Sequence, residues 1–276
     1  MADNGGCEKR EEKRAPGSGL IPLVSVVVPV YNGAETLPLA LDSALKQEVD
    51  LEVLVVDDGS TDGTAAVMER YRDDPRVRYE KNQKNLGAAG SRNRGVAMAR
   101  GKYVAFLDSD DCWAPGKLKK QLALLADTGS VLCCTGRELL TPQGNPTGRV
   151  IGVKTVISRR DLLGHNSINC SSVLLDASVA REFPMEHEDS HEDYITWLKI
   201  LDRYGPAVGI DEPLLKYRLS SGGKSGSKLK SAAMTFRVYR YMGFGRVRSA
   251  ACFVSYALHG VCKYAGAFLT GPRSGR

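Results

Sequence analysis

The densest chemistry in the sequence sits at the end of one apolar run. Tyr103-Val-Ala-Phe-Leu107 stops abruptly at Asp108-Ser-Asp110-Asp111. Apolar residues that give way to carboxylates read as a buried strand delivering acids to its C-terminal tip. Side chains repeat every two residues along a strand, so Asp108 and Asp110 leave it on one side. Such a pair suits a hard divalent cation whose other ligands are phosphate oxygens. Taken alone, the same residues serve equally well as an acidic turn before a helix. An EF-hand loop is excluded, because the position that would need glycine is Trp113.

A second acidic stretch lies far downstream. Residues 182–193 include Glu186, His187, Glu188, Asp189, His191, Glu192 and Asp193. His and carboxylate together could ligate a metal. The simpler reading is the start of a helix over 194–204, where Glu192 and Asp193 favour the positive helix end.

The elements that must position these groups alternate. Leu23 to Val30 is a β-branched run read as a buried strand, and Tyr31-Asn32-Gly33 is its turn. Leu37, Leu41, Ala44 and Leu45 recur at helical spacing within 35–47. A second apolar strand over 51–56 ends in Asp57-Asp58-Gly59-Ser60-Thr61-Asp62, and a helix is expected over 62–72. A shorter strand at 76–80, a small-residue helix from 85 to 101 and the strand ending at Asp108 complete a β-α-β-α-β-α-β order. That order predicts an α/β fold with a mainly parallel, doubly wound, Rossmann-like sheet. Ligands of such sheets bind beyond the carboxyl ends of the strands. No G-x-G-x-x-G follows the first strand, and no G-x-x-x-x-G-K-[ST] occurs. With no glycine cradle for phosphate, a metal must meet the charge.

Four segments now carry a resemblance. Ser25-Val-Val-Val-Pro-Val-Tyr-Asn32, Val55-Val-Asp-Asp-Gly-Ser-Thr-Asp62, Ser91-Arg-Asn-Arg-Gly95 and Gly101-Lys-Tyr-Val-Ala-Phe-Leu-Asp-Ser-Asp-Asp111 resemble family 2 glycosyltransferases of the GT-A fold. Glu192-Asp193 with Tyr194-Ile-Thr-Trp197, and Pro213-Leu-Leu-Lys-Tyr-Arg218, are similar to the family's acceptor-side motifs. The resemblance spans about 23–230, and the tail is similar to the subset building bacterial exopolysaccharide, O-antigen or teichuronic-type polymers. It implies a nucleotide-sugar donor, most often a UDP-sugar, inversion at the anomeric carbon, and a glycan or lipid-diphosphate-linked acceptor.

The same resemblance implies site residues. Pro29 and Tyr31 would lie along the nucleobase and Asp57 would accept from its ring N–H, while Ser60 or Thr61 caps the next helix. Arg92 would face the base or the diphosphate. Asp110 would bind Mg²⁺ or Mn²⁺, with Asp108 or the Ser109 backbone on the ribose side; the division between Asp108 and Asp110 stays open. Asp111 would position the next turn. Trp113 would wall the sugar site on the acceptor side with Glu192, or else belong to the core. Asp193 would be the general base, since direct displacement needs one carboxylate for the acceptor proton while the diphosphate leaves from the opposite face. Read from its residues, the Gly/Ser/Lys loop after Tyr217 could close over the diphosphate with Arg218, Lys224 and Lys228, or serve as a flexible linker. The family often carries His two residues after Tyr-Arg; Ser220 stands there instead, which leaves that contact to Lys224 or Lys228.

Composition bounds the rest. The chain is 42% hydrophobic and 25% charged, ordinary for a globular protein. The organisation reads as a disordered leader over 1–20, a nucleotide-sugar half over 21–125, an acceptor half over 126–230 and a basic helical tail over 231–276. Within the acceptor half, 131–134 and 150–156 read as a meander of short strands and 166–175 as a strand closing on the donor site. Seven scattered cysteines without C-x-x-C argue against disulfides or zinc and fit reduced thiols in a cytosol. From Pro213 onward there is no Asp or Glu but twelve Lys or Arg, which points to an anionic partner. Val247, Ala250, Ala251, Val254, Leu258, Val261, Ala265 and Phe268 share one helical face. That helix either lies on a membrane, making the protein peripheral at the inner face, or packs on the domain. It lacks the uninterrupted apolar span needed to cross. A nucleic-acid partner is not expected, since acidic strand ends repel phosphate and no binding motif is present. Two other functions share the frame: a nucleotidyltransferase, which wants a glycine-rich first loop, and a non-catalytic sugar- or nucleotide-binding protein at a membrane surface.

Overall fold

The computed structural model describes residues 21–219 and 228–269. Four parallel strands form its donor half: β1 (Val24–Val30), β2 (Leu51–Asp57), β3 (Val77–Lys81) and β4 (Tyr103–Phe106), in the order β3-β2-β1-β4. Strand order reverses between β1 and β4, where Val27 pairs with Phe106. The β1 and β4 ends therefore open on a common crevice at the switch point. β1 alternates between two cores, with Val27 in one and Val26 and Val28 in the other. Helices α1 (Leu37–Leu45) and α2 (Thr64–Met68) pack on the second face, and α3 (Gly87–Met98) on the first. The helix expected over 62–72 is thus shorter, ending in a 3₁₀ turn over Glu69–Tyr71.

The acceptor half extends the same sheet. After β5 (Cys112–Trp113) and α4 (Lys117–Thr128) come β6 (Leu132–Leu140), β7 (Pro146–Ile151), β8 (Val156–Ile157) and α5 (Arg159–Gly164). Then follow β9 (Leu174–Asp176), α6 (Ala177–Glu182), α7 (Glu192–Tyr204) and β10 (Ala207–Arg218). β9 runs antiparallel between β4 and β6 and joins the two halves, and β6 and β10 pair in parallel. The stretch 166–175, expected as one strand, is mostly loop with a 3₁₀ turn at Cys170–Ser172. Its side chains compete with a strand ladder: Asn169 accepts from the Ser171 amide at 3.0 Å and the Ser172 hydroxyl donates to the Asn169 carbonyl at 2.7 Å.

The tail forms α8 (Lys228–Tyr241) and α9 (Arg246–Leu269). α8 packs on the domain: Val238 and Tyr239 are fully buried, and the Tyr239 hydroxyl donates to the Leu163 carbonyl at 2.8 Å. Among the described residues no helix is long and apolar enough to cross a membrane, and the cysteines Cys112, Cys133, Cys134, Cys170 and Cys252 are free thiols. The leader at 1–20 lies outside the described residues, as do Lys224 and the Lys228 side chain.

Candidate active site

The strand ends at the switch point enclose a cavity of about 430 Å³. Pro29 and Tyr31 from the end of β1, Arg92 from α3, and Asp108, Ser109 and Asp110 beyond β4 all line it. Tyr31 stands 55% exposed at its edge, a ring available for stacking. Asn32 turns the chain at φ 50°, a conformation Asn tolerates. Its amide donates to the Ser60 hydroxyl at 2.9 Å and its side-chain oxygen accepts from the Thr61 amide at 2.8 Å, lacing the β1 loop to the β2 loop.

Helix α3 sits close on β1 because Gly95 faces Val27: a Cβ at Gly95 would lie 2.3 Å from a Val27 methyl. That approach carries Arg92 inward until it is 6% exposed. Arg92 donates to Asp108 at 2.6 Å and to Glu192 at 3.0 Å. Burial works against its charge, but the carboxylates of Asp108 and Glu192 outweigh that and hold the guanidinium pKa well above its ordinary value. Through Arg92 the acidic strand tip is tied to the first turn of α7.

Asp193 follows in that turn, half-buried, accepting from the Tyr194 amide at 2.7 Å. Burial and then the Glu192 charge push its carboxyl up to about 6, against the pull of Arg92 and His191. A carboxylate poised there is ionised at neutral pH and basic enough to take a proton. The buried thiol of Cys170 lies near enough to feel the charges of Arg92, Asp108, Asp193 and Glu192. Its own pKa lies well above the usual value, burial being the main cause.

Asp110 is pushed up to about 6 by burial and by the neighbouring Asp108 charge. Among the described residues no group of three or more His, Cys, Asp or Glu could hold a metal unaided. Two crowded carboxylates facing a cavity are nevertheless a fitting protein share for Mg²⁺ or Mn²⁺, whose coordination a diphosphate would complete. A dication between them would relieve the repulsion that raises Asp110.

Residues 25–172 match the family described as Glycosyl transferase family 2. The putative teichuronic acid biosynthesis glycosyltransferase TuaG of Bacillus subtilis is 35% identical over 88% of this chain and 97% of that protein. The chain belongs to glycosyltransferase family 2. The Escherichia coli UDP-Glc:alpha-D-GlcNAc-diphosphoundecaprenol beta-1,3-glucosyltransferase WfaP is 31% identical over 88% of this chain and 95% of its own. In structure this glycosyltransferase is similar to Staphylococcus aureus TarS 1–349 in complex with UDP-GlcNAc. The TM-score is 0.65 at 19% identity, covering 85% of this chain and 71% of that one. It is also similar to the mannosyltransferase PcManGT of Pyrobaculum calidifontis in complex with GDP-Man and Mn²⁺. There the TM-score is 0.66 at 19% identity, covering 95% and 80%. Both show the same GT-A fold.

Several residues of this family 2 glycosyltransferase fall elsewhere than the sequence suggested. Trp113 is core, not a sugar wall: it is 4% exposed, donates to the Ser171 carbonyl at 2.7 Å and lies under the Lys117 ammonium at 4.1 Å. Arg218 is not free to close on a diphosphate. Its amide donates to Asp111, and its guanidinium donates to the Asp110 and Pro142 carbonyls at 2.9 and 3.0 Å. It braces the acidic turn from below. Asp57 is fully buried, its oxygens accepting from the Ser60 amide at 2.7 Å and the Tyr79 hydroxyl at 2.5 Å. Asp58, which the sequence reading passed over, lines the cavity and accepts from the Leu86 and Gly87 amides at 2.7 and 2.8 Å. Glu192 turns inward and accepts from Arg92 at 3.0 Å.

The other acids of 182–193 disperse instead of clustering. Glu186 pairs with Lys199 at 2.9 Å, Glu188 accepts from the Ala89 amide at the start of α3 at 2.9 Å, and Asp189 takes Arg237 and Tyr241 from α8. The tail thereby holds the loop that leads into Asp193.

Proposed function

We propose that the chain transfers a sugar from a UDP-sugar to a hydroxyl of a lipid-diphosphate-linked glycan, with inversion, in bacterial surface-polysaccharide synthesis. One observation carries this reading: Arg92 joins Asp108, which lines the cavity with Asp110, to the α7 turn bearing Asp193, whose carboxyl is pushed up to about 6. The donor would lie along Pro29 and Tyr31 with its diphosphate toward Asp108 and Asp110. The UDP-glucose donor and diphosphoundecaprenol-linked acceptor in the name of WfaP support the substrate classes.

Asp193 takes the proton from the acceptor hydroxyl as that oxygen bonds to the anomeric carbon. The bond from that carbon to the β-phosphate oxygen breaks on the opposite face, and the nucleoside diphosphate leaves with the electron pair. Asp108 and Asp110 would hold Mg²⁺ or Mn²⁺, which offsets charge on the leaving diphosphate when bound. Arg92 keeps Asp108 oriented, and Asp58 fixes the loop before α3. A single base suffices, because the leaving group needs neutralising rather than protonating.

The test is nucleotide release from a panel of nucleotide-sugars with a synthetic polyprenyl-diphosphate sugar acceptor and Mg²⁺ or Mn²⁺. Acceptor-dependent release of UDP and an inverted linkage by NMR are expected. No turnover of any UDP-sugar, or a retained linkage, refutes the reading.

A further inference from the structure

Helix α9 is apolar on two faces, and the domain uses one. Ser249 is buried, and Cys252, Phe253 and Tyr256 are half-buried. The Tyr256 ring lies 5.6 Å from His165 and Phe253 lies 6.4 Å from Phe236 of α8. On the opposite side Val247, Val254 and Leu258 are 86%, 55% and 61% exposed, with Ala251 exposed between them. Steps of four, three and four residues align these side chains in one stripe along the helix. In the sequence the same spacing continues to Val261, Ala265 and Phe268.

At about 100° per residue, Arg246 and Arg248 fall on the two flanks of that stripe. Both are exposed, and Arg248 is held at its edge by stacking 3.9 Å from the Phe244 ring centroid. Neither α8 nor α9 contains an acid.

Two occupants suit such a stripe in shape, a second copy of the helix or a lipid surface. Alternating three- and four-residue steps make a coiled-coil seam. Pairing two copies of α9, however, sets cations against cations with no carboxylate on either helix to answer them. An anionic bilayer offers counter-charge to both flanks and an apolar layer to the stripe between. With 24 residues α9 is long enough to lie along the interface, and it lacks the apolarity to cross it.

We infer that the outer face of α9 docks in the plane of an anionic phospholipid surface through Val247, Ala251, Val254 and Leu258, with Arg246 and Arg248 on the headgroups. The inner face stays on the domain, so docking needs no unfolding of the tail.

Co-sedimentation of the full chain with vesicles tests it. Phosphatidylglycerol–phosphatidylcholine vesicles should bind, phosphatidylcholine alone much less, and added salt should weaken the binding. The V254E/L258E pair should partition more than about tenfold more weakly, since two buried apolar side chains are lost. R246E/R248E should lose the preference for anionic vesicles. Unchanged Tm in both pairs shows that the domain remains folded. Vesicle binding that is absent, indifferent to lipid charge, or equal in V254E/L258E overturns the inference. So does sedimentation velocity showing a dimer that V254E/L258E dissociates, with no binding to lipid.

Discussion

Arg92 and Glu192 stand 100 positions apart in the sequence and 3.0 Å apart in the fold. The pair, with Asp108 on the other side of the same guanidinium, links donor and acceptor halves through a buried charge network. Replacing Arg92 by Met leaves two carboxylates without their cation, a loss of about 3–5 kcal/mol for a buried pair. R92M should lower the urea midpoint accordingly, and R92M/E192M should recover much of that stability. An R92M midpoint equal to the parent's would show that the pair contributes nothing.

Asp193 must be ionised to accept a proton. With its carboxyl pushed up to about 6 in the free protein, kcat/KM should fall on the acid side of neutrality with a midpoint of about 6. E192Q removes the charge that helps raise Asp193 and frees Arg92 to pull it down, so the acid limb should move to lower pH. D193N should bind UDP as the parent does and transfer no sugar. A pH–rate profile identical in E192Q disconnects Glu192 from the base.

D110N should weaken metal-dependent UDP-sugar binding by at least about tenfold, because one of two carboxylates facing the diphosphate is lost. Isothermal titration with and without Mn²⁺ reads this. A D110N affinity equal to the parent's, with the same enhancement by Mn²⁺, would remove Asp110 from the metal.

W113F separates core from site. The Nε1 hydrogen bond to the Ser171 carbonyl is lost in a buried setting, which costs about 1–3 kcal/mol. Thermal melting should register the loss while KM for the donor stays unchanged. A raised donor KM at constant stability would return Trp113 to the sugar site.

At Gly95 a methyl would meet Val27 at 2.3 Å, so G95A should overpack the α3–β1 contact by about 1–3 kcal/mol and displace Arg92. V27A in the same chain opens the space and should restore both stability and turnover. Failure of V27A to compensate places the strain elsewhere.

The donor half was legible in the sequence because its signals are local. β-branched runs buried on both faces, each followed by a polar turn, read as parallel strands under helices, and β1 and β2 follow that pattern. The acidic tip at Asp108 and Asp110 needed only the strand period. Signals failed where partners are remote. Trp113 is assigned to the core by a carbonyl 58 positions away, and Arg218 is committed to Asp111 across 107. Asp57 and Asp58 are neighbours of the same type; only the packed loops decide that one is sealed in and the other lines the cavity.

By itself, then, the sequence determined the parallel α/β frame, a site beyond the carboxyl ends of its strands and the residue types gathered there, since periodicity and turn chemistry act within a few residues. Tertiary structure alone decided which charges meet. The Arg92 bridge, the direction Glu192 faces and the choice of which α9 face meets the domain all depend on side chains far apart in sequence. In a buried, weakly screened setting those meetings set both protonation and position.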